Sequence, residues 1–298
     1  MNKFLLLLVF ILFQFSCNKS NNDDITDVVL DVTKTVQYKT LEGTTANLLS
    51  LDIYYTSQLS NLKPVVIYVH GGGWSIGDKT NKLENKIKLF SSLNYVFVSV
   101  NYRLSPFPFE IDNADRIKYP NHNNDIADAI NWVYTTIEDF GGDKNKIVLL
   151  GHSAGAHLVS LIGTNSSFLE SRGLSLSVIK GVATIDTEGY DVTAKITFGD
   201  KMYINAFGTN ITSNNEASPI QNIVIGKSYP KFFVAKRGTV NRIVLSEDFA
   251  NTLESVGTQV TQVNGSIYTH EEINAAIGAE NETLITQPLK QFLENCFE

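Results

Sequence analysis

Apolar positions along the chain change period repeatedly, and each change marks a new element. Residues 64–69, Pro-Val-Val-Ile-Tyr-Val, form an unbroken apolar run, the pattern of a strand covered on both faces. Residues 95–100, 147–150, 178–185, 232–235 and 259–263 repeat this short β-branched and aromatic pattern. Between them the spacing lengthens to three or four. Leu83, Ile87 and Phe90 form one stripe and predict a helix over 81–93, and Ile126, Ala129, Ile130, Val133 and Ile137 predict another over 125–140. Gly141 and Gly142 follow the second stripe directly, where glycine ends a helix. Further helices are expected over 246–255, over 271–277 and over 284–297. Ahead of these, 35–40 and 47–55 read as two strands joined by a turn at Glu42-Gly43.

Strands alternating with helices predict an α/β fold, a mostly parallel central sheet with helices on both faces and an antiparallel pair at its leading edge. Residues 187–229 lack a clear period and are expected to form an irregular, polar cap over the carboxyl edge of the sheet. No repeat or low-complexity linker divides the chain, so 31–298 reads as one domain.

Two glycine-rich turns sit at strand ends. Gly151-His152-Ser153-Ala154-Gly155 follows the 147–150 strand and precedes an apolar helix. The glycines permit a turn too sharp for side chains, which leaves the Ser153 hydroxyl exposed ahead of the positive end of a helix. His70-Gly71-Gly72-Gly73-Trp74 follows the 64–69 strand. There the N–H groups of Gly72 and Gly73, with that of Ala154, can converge on an oxyanion. Trp74 is a candidate wall of the acyl pocket.

These residues resemble the α/β-hydrolase superfamily, specifically the hormone-sensitive-lipase-like carboxylesterases and the kynurenine-formamidase-like group. The resemblance runs from about Leu51 to the C-terminus. It includes Leu51-Asp52-Ile53-Tyr54, Gly77-Asp78-Lys79, Asn101-Tyr102-Arg103-Leu104-Ser105-Pro106, Tyr119-Pro120, Asp125 with Trp132, and Gly141-Gly142-Asp143. It implies an α/β-hydrolase fold and a serine carboxylesterase in which Ser153 is the nucleophile. Arg103, Asp125 and Trp132 read as packing and ion-pair residues.

In this fold the triad runs Ser, then Asp or Glu, then His. Of five histidines, His270 alone lies late, after the 259–263 strand, and it is the expected general base. The acid is ambiguous. The family's usual position carries Asn241, in Arg237-Gly238-Thr239-Val240-Asn241, and asparagine cannot stabilise an imidazolium by charge. Asp186 ends the preceding strand, a site some lipases of the superfamily use, and is preferred. Asn241 follows, then Glu247 or Asp248, which are expected to open a helix. Arg237 and Arg242 read as ion-pair partners or as a site for an anionic substrate. Asn241 also supports an alternative, a catalytically weakened hydrolase fold used for binding.

Composition narrows the partners. The chain has 24 Lys and Arg against 31 Asp and Glu, a formal net charge of −7, which argues against nucleic acid. Cys17 and Cys296 are the two cysteines, too few for a disulfide framework or a thiolate metal site. No metal or organic cofactor is expected. Residues 1–16 carry an early lysine and an apolar run shorter than the about 20 residues that span a bilayer, as a signal peptide does. Ser16-Cys17 resembles the lipobox of bacterial lipoproteins. That resemblance implies a lipid anchor on Cys17, a flexible tether over 17–30 and a place in the cell envelope, with plain secretion as the alternative. Location in turn suggests acetyl or feruloyl esters of polysaccharides, or other small-molecule esters, as substrate.

Overall fold

The computed structural model describes residues 30, 32–57 and 61–298, so the expected signal peptide, Cys17 and nearly all of the tether lie outside the described residues. Among the described residues, eight strands form one sheet: β1 (Val32–Gln37), β2 (Ser50–Tyr55), β3 (Lys63–Val69), β4 (Val96–Val100), β5 (Gly142–His152), β6 (Ile179–Ile185), β7 (Lys231–Lys236) and β8 (Val260–Asn264). Their order is β1-β2-β4-β3-β5-β6-β7-β8. β2 is antiparallel to both neighbours, and all pairs from β4 onward are parallel. The sheet is therefore the α/β-hydrolase arrangement, with its carboxyl edge built by β3, β5, β6, β7 and β8.

Helices close both faces. On one side α2 (Asn121–Thr136), α3 (Ala154–Thr164) and α8 (Val240–Ser255) pack over Val65, Ile67, Ile147, Leu149, Val182 and Phe232. On the other, α1 (Glu84–Ser92), α9 (His270–Ala276) and α10 (Thr286–Phe297) cover Val66, Tyr68, Val148, Leu150, Phe233 and Val263. Alternate residues of the same strands feed the two cores, as period-two side chains must. This is why the central strands read as unbroken apolar runs. Cys296, on the buried face of α10, has its thiol pushed up to about 12 by burial.

Several boundaries differ from the sequence expectation. Residues Ala46–Leu49 form a short 3₁₀ turn, so the second strand begins at Ser50. β5 starts at Gly142, because Gly141 takes a left-handed φ of 77° and turns the chain straight into the sheet. α2 begins at Asn121 and α8 at Val240, both earlier than their apolar stripes. Glu247 and Asp248 thus lie in the middle of α8 and do not open it. Val240 and Val244 are exposed, which breaks the periodic signal over that first turn.

The cap is not irregular. It holds α5 (Val192–Thr197), α6 (Lys201–Phe207) and α7 (Ile211–Glu216). Each is too short to show a period, and each is nucleated by a side-chain cap: Asp191 accepts from the Ala194 N–H, Asp200 from Met202 and Asn210 from Ser213. Buried Arg116 fastens α6 to the body, its guanidinium donating to the carbonyls of Ile204, Asn205 and Asn113 at 2.7–2.8 Å. The fourth helix, α4 (Ser167–Glu170), is a single turn after α3.

Candidate active site

The carboxyl edge of the sheet gathers side chains from four strand ends. Ser153 follows β5 with φ 56° and ψ −120°, a conformation costly for any residue with a Cβ. Its neighbours make the turn possible. A Cβ on Gly155 would lie 2.1 Å from the Val69 carbonyl oxygen, and one on Gly151 would lie 2.4 Å from the Gly155 oxygen. The elbow is thus pressed backbone to backbone against the end of β3.

His270 begins α9, and its Nε2 stands 2.9 Å from Ser153 Oγ. Its Nδ1 lies 2.5 Å from Asp186 Oδ2. A serine, an imidazole and a carboxylate separated by 117 and 84 positions from the histidine are in one chain of hydrogen bonds. Asp186 directly follows β6 at φ 50° and is 2% exposed. Its second oxygen accepts from Arg242 at 2.5 Å, and Arg237 donates to Oδ2. Burial pushes this carboxyl up, but the bond to His270 and the Arg242 guanidinium outweigh it and hold the group below the usual carboxylate range.

The other acid candidates stand elsewhere. Asn241 is exposed in the first turn of α8, Glu247 pairs with Lys236, and Asp248 is exposed. Asp186, not Asn241, is the side chain bonded to His270 Nδ1. Arg242 also reaches Glu188, which Lys195 holds at 2.5 Å, so both arginines act as ion-pair partners of the carboxylates around His270.

Gly72 (φ 113°) and Gly73 (φ 57°) bring the loop after β3 over Ser153. Among the described residues, the N–H groups of Gly72, Gly73 and Ala154 have no acceptor within the protein, which leaves three donors beside the serine. The cleft, about 300 Å³, is lined by these residues and by Trp74, Met202, Tyr203, Glu188, Arg242 and Glu271. Trp74 forms its back wall. The ring is 2% exposed, donates to His157 Nδ1 at 3.3 Å and packs edge-on against Tyr203 and Phe207 at 4.9 Å. Arg103 and Asp125 form a bidentate pair at 2.7 and 2.8 Å outside the cleft, and Trp132 packs on Phe140.

Glu188, Met202, Tyr203, Glu271 and the role of His152 escaped the sequence. His152 Nε2 lies 2.9 Å from the His270 carbonyl oxygen, which can only accept, so the proton is on Nε2. Burial and the nearby His270 push the His152 imidazole down to about 3. His152, Asp186 and His270 also place ligand atoms within 4.8 Å of one another, a metal-capable cluster that no sequence spacing announces. Here Asp186 and His270 are already committed to each other, to two guanidinium groups and to Ser153, and His152 spends Nε2 on a backbone carbonyl. The arrangement is suited to moving a proton between hydroxyl and imidazole.

Fold and site together define an α/β-hydrolase. The chain belongs to the BD-FAE family, whose model matches residues 51–244. Esterase LipC of Mycobacterium tuberculosis is 27% identical over 207 residues, 65% of this chain and 49% of the relative. Esterase LipQ of the same organism is 35% identical over 39% of this chain and 26% of its own length. The chain thus spans between about a fifth and a half of the curated relatives it matches. Among solved structures, a truncated carbohydrate esterase from gut microbiota superposes with a TM-score of 0.70 at 16% identity, covering 91% of this chain and 98% of that one. Esterase B from Lactobacillus rhamnosis, inhibited by a tributyrin phosphonate, has the same TM-score at 19% identity, over 91% and 88% of the two chains. At such identities these likenesses speak for the fold.

Proposed function

We propose that this protein is a serine hydrolase that cleaves carboxylic esters through an acyl-enzyme. The observation that carries the reading is the continuous bond path Ser153–His270–Asp186. Ser153 Oγ attacks the ester carbon while its proton passes to His270 Nε2. The carbonyl electron pair moves onto oxygen, where the N–H groups of Gly72, Gly73 and Ala154 receive it. As the pair returns, the bond to the alkoxy oxygen breaks, and the imidazolium gives that oxygen its proton. Water then repeats the sequence on the acyl-serine and frees the acid. Asp186 stays ionised throughout and fixes His270 in the tautomer that leaves Nε2 free to accept.

For the substrate, we infer acyl esters met outside the cytoplasm, such as acetyl or feruloyl groups on polysaccharides, acted on by a lipoprotein anchored through Cys17 or by a secreted form. Supporting this are the export-like pattern of residues 1–17, the small cleft with Trp74 and Met202 in its lining, and the shared fold of a carbohydrate esterase.

Purified protein assayed with p-nitrophenyl acetate and a fluorophosphonate probe tests the reaction. Ser153→Ala is expected to abolish both turnover and labelling, and Asp186→Asn to lower kcat by about 10⁴. Labelling that survives Ser153→Ala, or turnover lost in Asn241→Ala but not in Asp186→Asn, contradicts the assignment. Intact mass of membrane-fraction protein separates a diacylated Cys17 from a free terminus.

A further inference from the structure

Met202 is the sole methionine among the described residues, and the chain's other methionine is Met1. Its side chain is half-buried and lines the catalytic cleft from α6. The thioether presses on the oxyanion loop: a Cβ placed on Gly73 would stand 2.6 Å from Met202 Sδ and 3.4 Å from its Cγ. The sulfur is thus the part nearest the loop, with the stem behind it. Two contacts keep it there. The Met202 N–H donates to the Asp200 cap at 3.0 Å, and buried Arg116 ties the same helix to the body. The loop it touches carries the N–H groups of Gly72 and Gly73, which have no acceptor within the protein among the described residues.

We propose that Met202 is a reversible oxidation switch of the cleft: a peroxide turns its thioether into a sulfoxide, whose oxygen takes the oxyanion donors and stops catalysis. The inference rests on the ester-hydrolase reading above, because it acts on the donors that reading uses. With hydrogen peroxide, a sulfur lone pair bonds to one peroxide oxygen, the O–O bond breaks, and the second oxygen leaves as water. Sulfur loses two electrons and the peroxide gains them. The thioether is a weak acceptor, whereas the sulfoxide is polar and presents an oxygen to unpaired N–H groups. An oxygen turned the other way enters the side of the cleft lined by Trp74 and Tyr203 and takes the volume of the acyl group. Both directions exclude an ester. A dithiol, through methionine sulfoxide reductases, removes the oxygen as water and becomes a disulfide, which restores the thioether. Peroxide reaches the sulfur by the path an ester uses. Cys296 does not compete, because it is buried on α10 and burial keeps it from forming the reactive thiolate.

The test treats the full chain with hydrogen peroxide and follows p-nitrophenyl acetate turnover beside peptide mass spectrometry of the segment around Met202. Met202→Leu, of similar volume, is treated in parallel, and each protein is compared with its own untreated rate. The parent is expected to lose about a hundredfold or more in kcat/KM, the cost of a lost oxyanion donor, in step with one added oxygen on Met202. Methionine sulfoxide reductases A and B with dithiothreitol are expected to restore the rate, a readout that needs no variant. Peroxide is expected to change the rate of Met202→Leu by less than about twofold. Undiminished turnover with Met202 oxidised overturns the switch. So does an equal loss in Met202→Leu, a loss that the reductases leave in place, or a thioether that stays reduced while free methionine in the same solution is oxidised. A parent without turnover before peroxide is added strikes the hydrolase reading itself, and the switch with it.

Discussion

The imidazole next to Ser153 has no part in the proposed proton transfer, yet it holds the residue proposed as the general base. His152 ties the end of β5 to the first residue of α9 through its bond to the His270 carbonyl, and the two rings lie 4.6 Å apart. A displaced general base is expensive, since about 1 Å of misplacement can cost a hundredfold in rate. His152→Leu is therefore expected to lower kcat for p-nitrophenyl acetate about tenfold or more with KM little changed. His152→Gln should recover most of it, because the Gln amide N–H reaches the position of Nε2. Equal losses in both variants, or a loss confined to KM, would show that His152 merely fills space. At this scale much of the site was legible. Ser153 and the glycines of its turn follow from backbone sterics, and His270 from its place late in the chain. The acid was not fixed by chain order, because Asp186 and Asn241 follow neighbouring strands, β6 and β7. What separates them is a hydrogen bond across 84 positions.

Elements divide by how they are held. Strands covered on both faces announce themselves as apolar runs, and β3, β4 and β6 lie within a few residues of expectation. The cap helices are too short for a hydrophobic period even where, as in α6, they bury Tyr203, Ala206 and Phe207, and their starts are set by capping carboxamides and carboxylates that periodicity does not register. Arg116 shows the dependence. It satisfies three carbonyl oxygens and is 8% exposed. Removing the guanidinium leaves one buried acceptor, the Asn205 carbonyl, at a cost of about 1–3 kcal/mol, and two part-buried ones that water partly satisfies. Arg116→Ala is expected to lower stability by about 2–4 kcal/mol and to speed hydrogen exchange along α6 more than along β5. Uniform exchange across both elements would mean the cap is not fastened there.

Across the whole molecule, burial keeps imidazoles neutral. Burial pushes His122 and His152 down to about 3 and His157 to about 4, and it lowers His70 as well. Unfolding returns them to about 6.5, so between pH 6.5 and 4 the unfolded chain binds more protons than the folded one. Stability therefore falls as pH falls through this window. The three strongest contribute about 4–6 kcal/mol of loss between pH 7 and pH 5. Urea unfolding at those two values measures the difference, and equal free energies would refute it. This pH response could not be read from the sequence, because no local pattern distinguishes a histidine on a solvated face from one sealed between α2, α3 and the cap.

The contact between the elbow and β3 has a consequence for how the molecule can diversify. Gly151, Gly155 and Gly72 meet main-chain oxygens at 2.0–2.4 Å from where any larger residue would project, so that half of the cleft admits no variation. The opposite half is supplied in part by the short helix α6, whose Met202 and Tyr203 line the cleft from outside the sheet. Evolution or engineering can rewrite acyl preference on the second half while the first stays word for word the same.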